Sequence, residues 1–234
     1  NNIKILSCDN LEKKVIEKLS ELGEVKNISD SKNKTEELMS NIVDTDIVVI
    51  RSSTKINKDI LQEANKLKII ARCGVGIDNI DIEEATNKEI YVTNSPNANI
   101  ISVAELTIGL IISAARNIHT SNNSLKDNNW DRNKFLGIEL YKKQLGLIGF
   151  GKAAREVAKR LTAFGMDIVF YDPYVDLSEE EANKVELDEL LKTSDVISIH
   201  VVKNEETKNM INDEKLNLIK KGGILVNTSR GGIV

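Results

Sequence analysis

The sequence predicts an α/β chain of two domains, each built on a parallel sheet. Short β-branched runs alternate with longer amphipathic stretches as far as residue 93. A polar segment containing Pro96 interrupts them at 94–99, and the alternation resumes from 145 to 226. That rhythm is the mark of βαβ units. The interruption sets a boundary at Pro96, giving domains 1–96 and 97–234.

The elements follow in order. Residues 3–7 read as a strand and 11–22 as a helix, with apolar residues at 11, 15, 16, 19 and 22. Strands are expected at 47–50, 67–71 and 90–93, with a helix at 58–64. After the boundary comes an apolar helix over about 100–117, then a polar surface helix and loop at 119–134. The second series places strands at 145–148, 168–171, 196–200 and 224–226. Helices fall between them at 152–164, 187–192 and 212–220. These strands are almost wholly apolar, as expected where helices cover both faces of a sheet. Four strands are two short of a six-stranded doubly wound sheet, so the chain reads as truncated after Val234.

Composition narrows the function classes. The chain has 234 residues, 41% hydrophobic, 29% charged and 4% aromatic, with two prolines. A net charge of −4 leaves no basic excess to neutralise phosphates, so nucleic acid is not expected as a partner. Two cysteines, Cys8 and Cys73, are too few for a disulfide framework and read as reduced thiols of an intracellular protein. The opening Asn1-Asn2-Ile3-Lys4-Ile5-Leu6 returns to polar residues at once, unlike a secretory signal. The apolar stretch 100–115 is too short for a membrane span. A cytoplasmic protein without a membrane partner is therefore expected.

The segment Gly149-Phe150-Gly151-Lys152-Ala153-Ala154 fits G-x-G-x-x-A between an expected strand and an expected helix. Gly149 would permit a tight turn, and Gly151 would let the backbone approach a pyrophosphate at the positive end of the helix. Asp172 ends the next strand, where a carboxylate can accept hydrogen bonds from the ribose hydroxyls of NAD. No cation follows in Pro173-Tyr174-Val175 to hold a 2′-phosphate. The bland alternative is a glycine turn with Asp172 facing solvent. Arg51-Ser52-Ser53-Thr54-Lys55 and Gly74-Val75-Gly76-Ile77-Asp78-Asn79 also follow expected parallel strands, at the ends where such sheets bind ligands. Arg51 could grip an anion with a planar fork, and the glycines could bare N–H groups. A turn glycine pair and a surface arginine are equally consistent with these residues.

Several ordered motifs now carry a resemblance. Arg72-Cys73-Gly74-Val75-Gly76-Ile77-Asp78-Asn79-Ile80-Asp81, Asn99-Ile100-Ile101-Ser102-Val103-Ala104-Glu105-Leu106 and Asn227-Thr228-Ser229-Arg230-Gly231 resemble the signatures of the D-2-hydroxyacid dehydrogenases. Arg51-Ser52-Ser53-Thr54-Lys55 and Trp130-Asp131-Arg132-Asn133-Lys134-Phe135-Leu136-Gly137 narrow it to members acting on a phosphorylated substrate. The resemblance implies a flavodoxin-like substrate domain and a Rossmann dinucleotide-binding domain, both incomplete here. It implies oxidation of 3-phospho-D-glycerate to 3-phosphohydroxypyruvate with NAD, at the entry to serine synthesis. The alternatives are another D-2-hydroxyacid dehydrogenase, acting on glyoxylate, hydroxypyruvate or lactate, and a dinucleotide-sensing binding protein without significant turnover.

The same resemblance assigns roles. Arg230 would be catalytic, gripping the substrate carboxylate and carbonyl oxygen. Val75, Gly149, Gly151, Lys152, Ala153, Asp172, Val201, Thr228, Ser229 and Arg230 would meet the cofactor. Arg51, Gly74, Val75, Gly76, Asn99 and Arg132 would meet the substrate, Arg51 facing its phosphate. The Trp130–Phe135 stretch is similar to a dimer arm, which implies a homodimer or higher homo-oligomer. Lys152-Ala153-Ala154 stands where the family usually has Arg, Ile and Gly, and Val202 where it usually has Pro. The family's catalytic histidine and its glutamate partner would lie beyond Val234. Of the two histidines present, His200 is expected to be structural. His119 is expected at a helix end where a cationic ring suits the dipole.

Overall fold

The computed structural model describes residues 3–175 and 182–234. The chain divides into two compact units, Asn1–Asn99 and Ile100–Val234.

Unit 1 carries five parallel strands, β1 (Lys4–Ser7), β2 (Glu24–Asn27), β3 (Ile47–Ile50), β4 (Ile69–Arg72) and β5 (Tyr91–Thr93), in the order β2-β1-β3-β4-β5. Helices α1 (Lys13–Ser20), α2 (Lys34–Ile42), α3 (Lys58–Glu63) and α4 (Ile82–Asn87) connect them. This is the flavodoxin-like 2-1-3-4-5 order, whose switch point lies between the carboxyl ends of β1 and β3. The core is built from Leu6, Ile42, Val48, Ile50, Leu61 and Ile70 with their neighbours. Asn57 and Asp81 cap α3 and α4 by accepting from the Ile60 and Glu84 N–H groups.

Unit 2 begins with α5 (Ile100–Ala115), which bends by 63° into α6 (Ile118–Lys126). A 3-10 turn follows at Arg132–Phe135. The sheet comprises β6 (Gln144–Ile148), β7 (Asp167–Tyr171), β8 (Asn183–Lys184), β9 (Val196–Ile199) and β10 (Ile224–Asn227). Its order is β10-β9-β6-β7-β8, with every pairing parallel. Numbered within the sheet and read from the β8 edge this is 3-2-1-4-5, the Rossmann arrangement, with the switch point between β6 and β9. One face packs on α5 and α7 (Lys152–Thr162) through Leu145, Leu147, Val157 and Leu161. The other packs through Ile148, Leu190 and Ile197 around α8 (Leu187–Thr193), with Ile211 and Leu218 on either side of α9 (Asp213–Leu216).

Four elements go beyond the sequence reading: β2, β8, α2 and α4. The expectation for His119 is reversed. It is the second residue of α6, at the positive rather than the negative end of the helix dipole. Its Nε2 lies 3.2 Å from Asn123 Nδ2. Among the described residues no single helix is long and apolar enough to cross a membrane.

Candidate active site

In unit 2 the polar residues gather at the carboxyl edge of the sheet. The chain leaves β6 through Gly149 at φ +85°. A Cβ there would stand 2.9 Å from Val201 Cγ1 and 3.0 Å from the His200 carbonyl carbon, so conformation and space both require glycine. Gly151 is the N-cap residue of α7, and a Cβ on it would meet nothing within 4 Å. The backbone is therefore open to a ligand where the free N–H groups of α7 begin. Lys152 is exposed and Ala153 half-buried on its first turn, while Ala154 is fully buried and lets α7 pack closely on the sheet.

Asp172 stands just past β7. Its Oδ2 accepts from the Phe150 N–H at 2.8 Å and its Oδ1 from the Tyr174 N–H at 2.8 Å. Each oxygen keeps a lone pair for a further donor such as a ribose hydroxyl. Arg155 completes this corner. Its Nε donates to the Phe150 carbonyl at 3.1 Å, and its guanidinium lies 4.6 Å from the Phe150 ring centroid. That ring stacks on Phe170 at 4.0 Å. The glycine loop is thus held from both sides. Arg155 escaped the sequence reading, since an arginine at that helix position carries no signal of its own.

The loop after β10 folds on Asn227, whose Oδ1 accepts from the Ser229 N–H at 3.0 Å and Oγ at 2.8 Å. Asn227 Nδ2 donates to the Arg230 carbonyl at 2.9 Å. Thr228 Oγ1 lies 2.8 Å from Thr107 Oγ1 of α5. Thr107 spends its own proton on the Val103 carbonyl, so Thr228 is the donor between them and keeps its lone pairs outward. Arg230 Nη1 donates to the Ser229 carbonyl at 3.0 Å, and Lys203 Nζ to the Gly231 carbonyl at 2.9 Å. His200, at the end of β9, pairs its Nε2 with Ser198 Oγ at 2.9 Å. Burial pushes the imidazole pKa down to about 4, which suits a neutral structural histidine.

In unit 1 the two loops named from sequence are joined. Asn79 Nδ2 donates to the carbonyls of Arg51 at 2.8 Å and Thr54 at 2.6 Å. The Ile56 N–H donates to the Asn79 carbonyl, and the Asp81 N–H to the Ile56 carbonyl. Below them Asp9, 2% exposed, accepts from the Arg51 N–H, the Thr54 N–H and hydroxyl, the Ser53 hydroxyl and Lys34 Nζ. Burial opposes ionisation, but these donors outweigh it and hold the Asp9 carboxyl far below the usual carboxylate range. Gly74, at φ +155°, lies against Arg72, where a Cβ would fall 1.5 Å from Nη1. The Ser95 N–H and Asn94 Nδ2 take the carbonyls of Gly74 and Val75 at 2.9 and 2.8 Å. The turn from Gly74 to Gly76 is thereby fixed. Asp9 and Asn79 organise this site, yet neither was singled out for that from sequence.

The structure therefore brings Gly149, Val201 and Asp172 together in one unit, and Arg51 beside the Gly74–Asn79 loop in the other. Thr228, Ser229 and Arg230 share one tight loop beyond the strand that neighbours β9. Asn99 is exposed just before α5, and Arg132 is exposed on the 3-10 turn. Among the described residues, neither makes a hydrogen bond or ion pair to the residues of its own unit named above.

Comparison with known proteins matches residues 108–234 to the family described as D-isomer specific 2-hydroxyacid dehydrogenase, NAD binding domain. The chain is 48% identical to D-3-phosphoglycerate dehydrogenase of Methanocaldococcus jannaschii, over 99% of this chain and 45% of that protein. It is 45% identical to hydroxypyruvate reductase of Thermotoga maritima, over 97% of this chain and 74% of that protein. Among solved structures it is similar to D-lactate dehydrogenase from Aquifex aeolicus complexed with NAD and lactic acid. That match has a TM-score of 0.86 and 31% identity, over 99% of this chain and 70% of that one. The chain thus spans less than half the length of the archaeal phosphoglycerate dehydrogenase.

Proposed function

The chain belongs to the D-isomer specific 2-hydroxyacid dehydrogenase family, and on that premise we propose that its protein oxidises 3-phospho-D-glycerate to 3-phosphohydroxypyruvate with NAD. One observation carries the choice of substrate. Arg51 stands exposed at the switch point of unit 1, with Lys55 in the same turn and no ion pair to Arg51 among the described residues. A phosphate-free hydroxy acid has no need of that cation. The 45% identity to a hydroxypyruvate reductase supports a second reading, reduction of an unphosphorylated 2-keto acid.

The residues fit a dinucleotide: a glycine turn, open space at Gly151, a helix N-terminus and an anchored carboxylate at Asp172. When bound, NAD supplies the hydride acceptor. The chain's own groups orient and polarise. In this reading Lys152, Ala153 and the first N–H groups of α7 meet the pyrophosphate, and Asp172 the ribose. Val201, Thr228 and Ser229 line the nicotinamide side. The fixed turn at Gly74, Val75 and Gly76 offers N–H groups to the substrate carboxylate. Arg230 grips the substrate carboxylate and the C2 oxygen and stabilises negative charge on that oxygen. Neither histidine is assigned as base, because His200 is buried against Ser198 and His119 sits on α6 beside Asn123. Asn99 and Arg132 remain proposed substrate contacts by resemblance.

Self-association accords with exposed apolar side chains along α5, α6 and the segment that follows, among them Leu106, Leu110, Leu125, Trp130 and Leu136. Free Cys8 and Cys73 suit a reducing, cytoplasmic setting.

The test uses the complete product of the gene that encodes this chain. NADH absorbance is followed with 3-phospho-D-glycerate, D-glycerate and D-lactate. The proposal expects kcat/KM to favour the phosphorylated acid by roughly a hundredfold, worth about 2.7 kcal/mol in the transition state. Equal values for phosphorylated and unphosphorylated acids would move the second reading to first place. Arg230→Lys, which keeps charge but loses the planar fork, should lower kcat by more than about tenfold.

A further inference from the structure

The Arg51 turn poses a physical problem. Four of its polar groups, the Arg51 N–H, the Ser53 hydroxyl and the Thr54 N–H and hydroxyl, converge on one carboxylate buried to 2% exposure. A buried charge of this kind must be compensated, and the nearest arginine would ordinarily do it. Here it does not. Asp9 takes only the main-chain N–H of Arg51, and its ion-pair partner is Lys34 at 2.9 Å. Lys34 comes from the first turn of α2, and its Nζ also lies 3.5 Å from Ser53 Oγ. The Arg51 guanidinium is directed elsewhere, with Nη1 donating to the Asn10 carbonyl at 3.3 Å.

We propose that Asp9 is the positioning residue of the Arg51 turn. It fixes the backbone and takes its compensating charge from Lys34, which leaves the Arg51 guanidinium outside any ion pair among the described residues, with only the neutral Asn10 carbonyl as a partner, and able to turn to an anionic ligand group. This rests on the reading that the group is the phosphate of the substrate. The placement suits the role. Asp9 follows β1 and Arg51 follows β3, so the carboxylate spans the switch point of the sheet. Asn79 holds the same turn through the Arg51 and Thr54 carbonyls. Donors and acceptors of one short loop are thus both pinned, and a cation on a rigid loop loses less freedom when it grips an anion.

The experiment compares Asp9→Asn, Thr54→Val and Arg51→Ala in the complete gene product. KM is measured for 3-phospho-D-glycerate, for NAD and for D-glycerate. Asp9→Asn should raise KM for the phosphorylated acid roughly tenfold. Thr54→Val keeps the shape of a buried side chain and removes one donor to Asp9, so it decides the matter if Asp9→Asn does not fold. It should raise the same KM roughly threefold. KM for NAD and for D-glycerate should move less than about twofold in both. Unchanged KM in the Asp9 and Thr54 variants, beside a raised KM in Arg51→Ala, would overturn the positioning role and leave the phosphate reading standing. An Arg51→Ala variant without effect would overturn both. A parallel rise for all three ligands would mark a general structural role and also overturn the proposal.

Discussion

Gly149 and Gly151 stand two residues apart and their substitution should separate stability from binding. Alanine at 149 must adopt φ +85° and push on Val201 and the His200 backbone. It should cost about 1–3 kcal/mol of stability as well as cofactor affinity. Alanine at 151 meets no protein atom. It should cost less than about 1 kcal/mol as an N-cap change, yet weaken NAD binding by roughly tenfold or more, because the methyl enters the space left for the pyrophosphate. Thermal midpoints and NAD titrations of the two variants check this; unaltered NAD affinity in Gly151→Ala would remove the glycine from the site. Asp172→Ala should both lower NAD affinity and narrow the preference over NADP, read by titrating the two cofactors at one salt concentration. These residues were legible because spacing within one βαβ unit exposes them. Asp9 and Asn79 were not, because they act across 42 and 28 positions of sequence, through hydrogen bonds that only the folded sheet creates.

Elements follow the same logic of burial. The strands that form the middle of each sheet, β1, β3, β4, β6, β7 and β9, were read from their apolar runs, since helices cover both their faces. β2 is Glu-Val-Lys-Asn at a sheet edge with only Val25 partly buried, and it takes its register from β1. β8 is two residues at the opposite kind of edge, paired to β7. Neither has an apolar pattern to read. α2 was likewise hidden, as it buries only Leu38 and Ile42 in nine residues. Gly146, in the central strand of unit 2, likewise carries no signal in the sequence. A Cβ on Gly146 would stand 2.4 Å from Ser194 Oγ and 2.5 Å from Leu190 Cδ2, so its absence lets α8 and the turn after it close on β6. Gly146→Ala should therefore destabilise unit 2 by about 1–3 kcal/mol through overpacking. A denaturant midpoint equal to that of the parent would show that α8 yields freely and that the glycine is not a packing requirement.

Across the whole molecule the two units should answer acid differently. Both histidines belong to unit 2, and unit 1 has none. Burial holds His200 neutral down to about pH 4, whereas an unfolded histidine takes its proton near 6.5. As pH falls below 6.5 the unfolded chain binds that proton first, so the stability is whole above 6.5 and declines until about 4. The loss from this one group reaches about 3 kcal/mol. Unit 1 depends instead on Asp9. Its folded pKa lies below the usual carboxylate range, so its contribution is intact above that range and is lost only as pH falls through it. Amide hydrogen exchange, corrected for intrinsic rates, distinguishes the two. Protection of Ile197 and Ile199 in β9 should decline between pH 6.5 and 4, while Val48 and Ile50 in β3 hold until more acid conditions. His200→Asn should flatten the slope in unit 2 over that interval, whatever it does to absolute stability. A parent protein whose β3 loses protection together with β9 near pH 5, or a His200→Asn variant with the parent's slope, would contradict the assignment of this pH dependence to the buried imidazole.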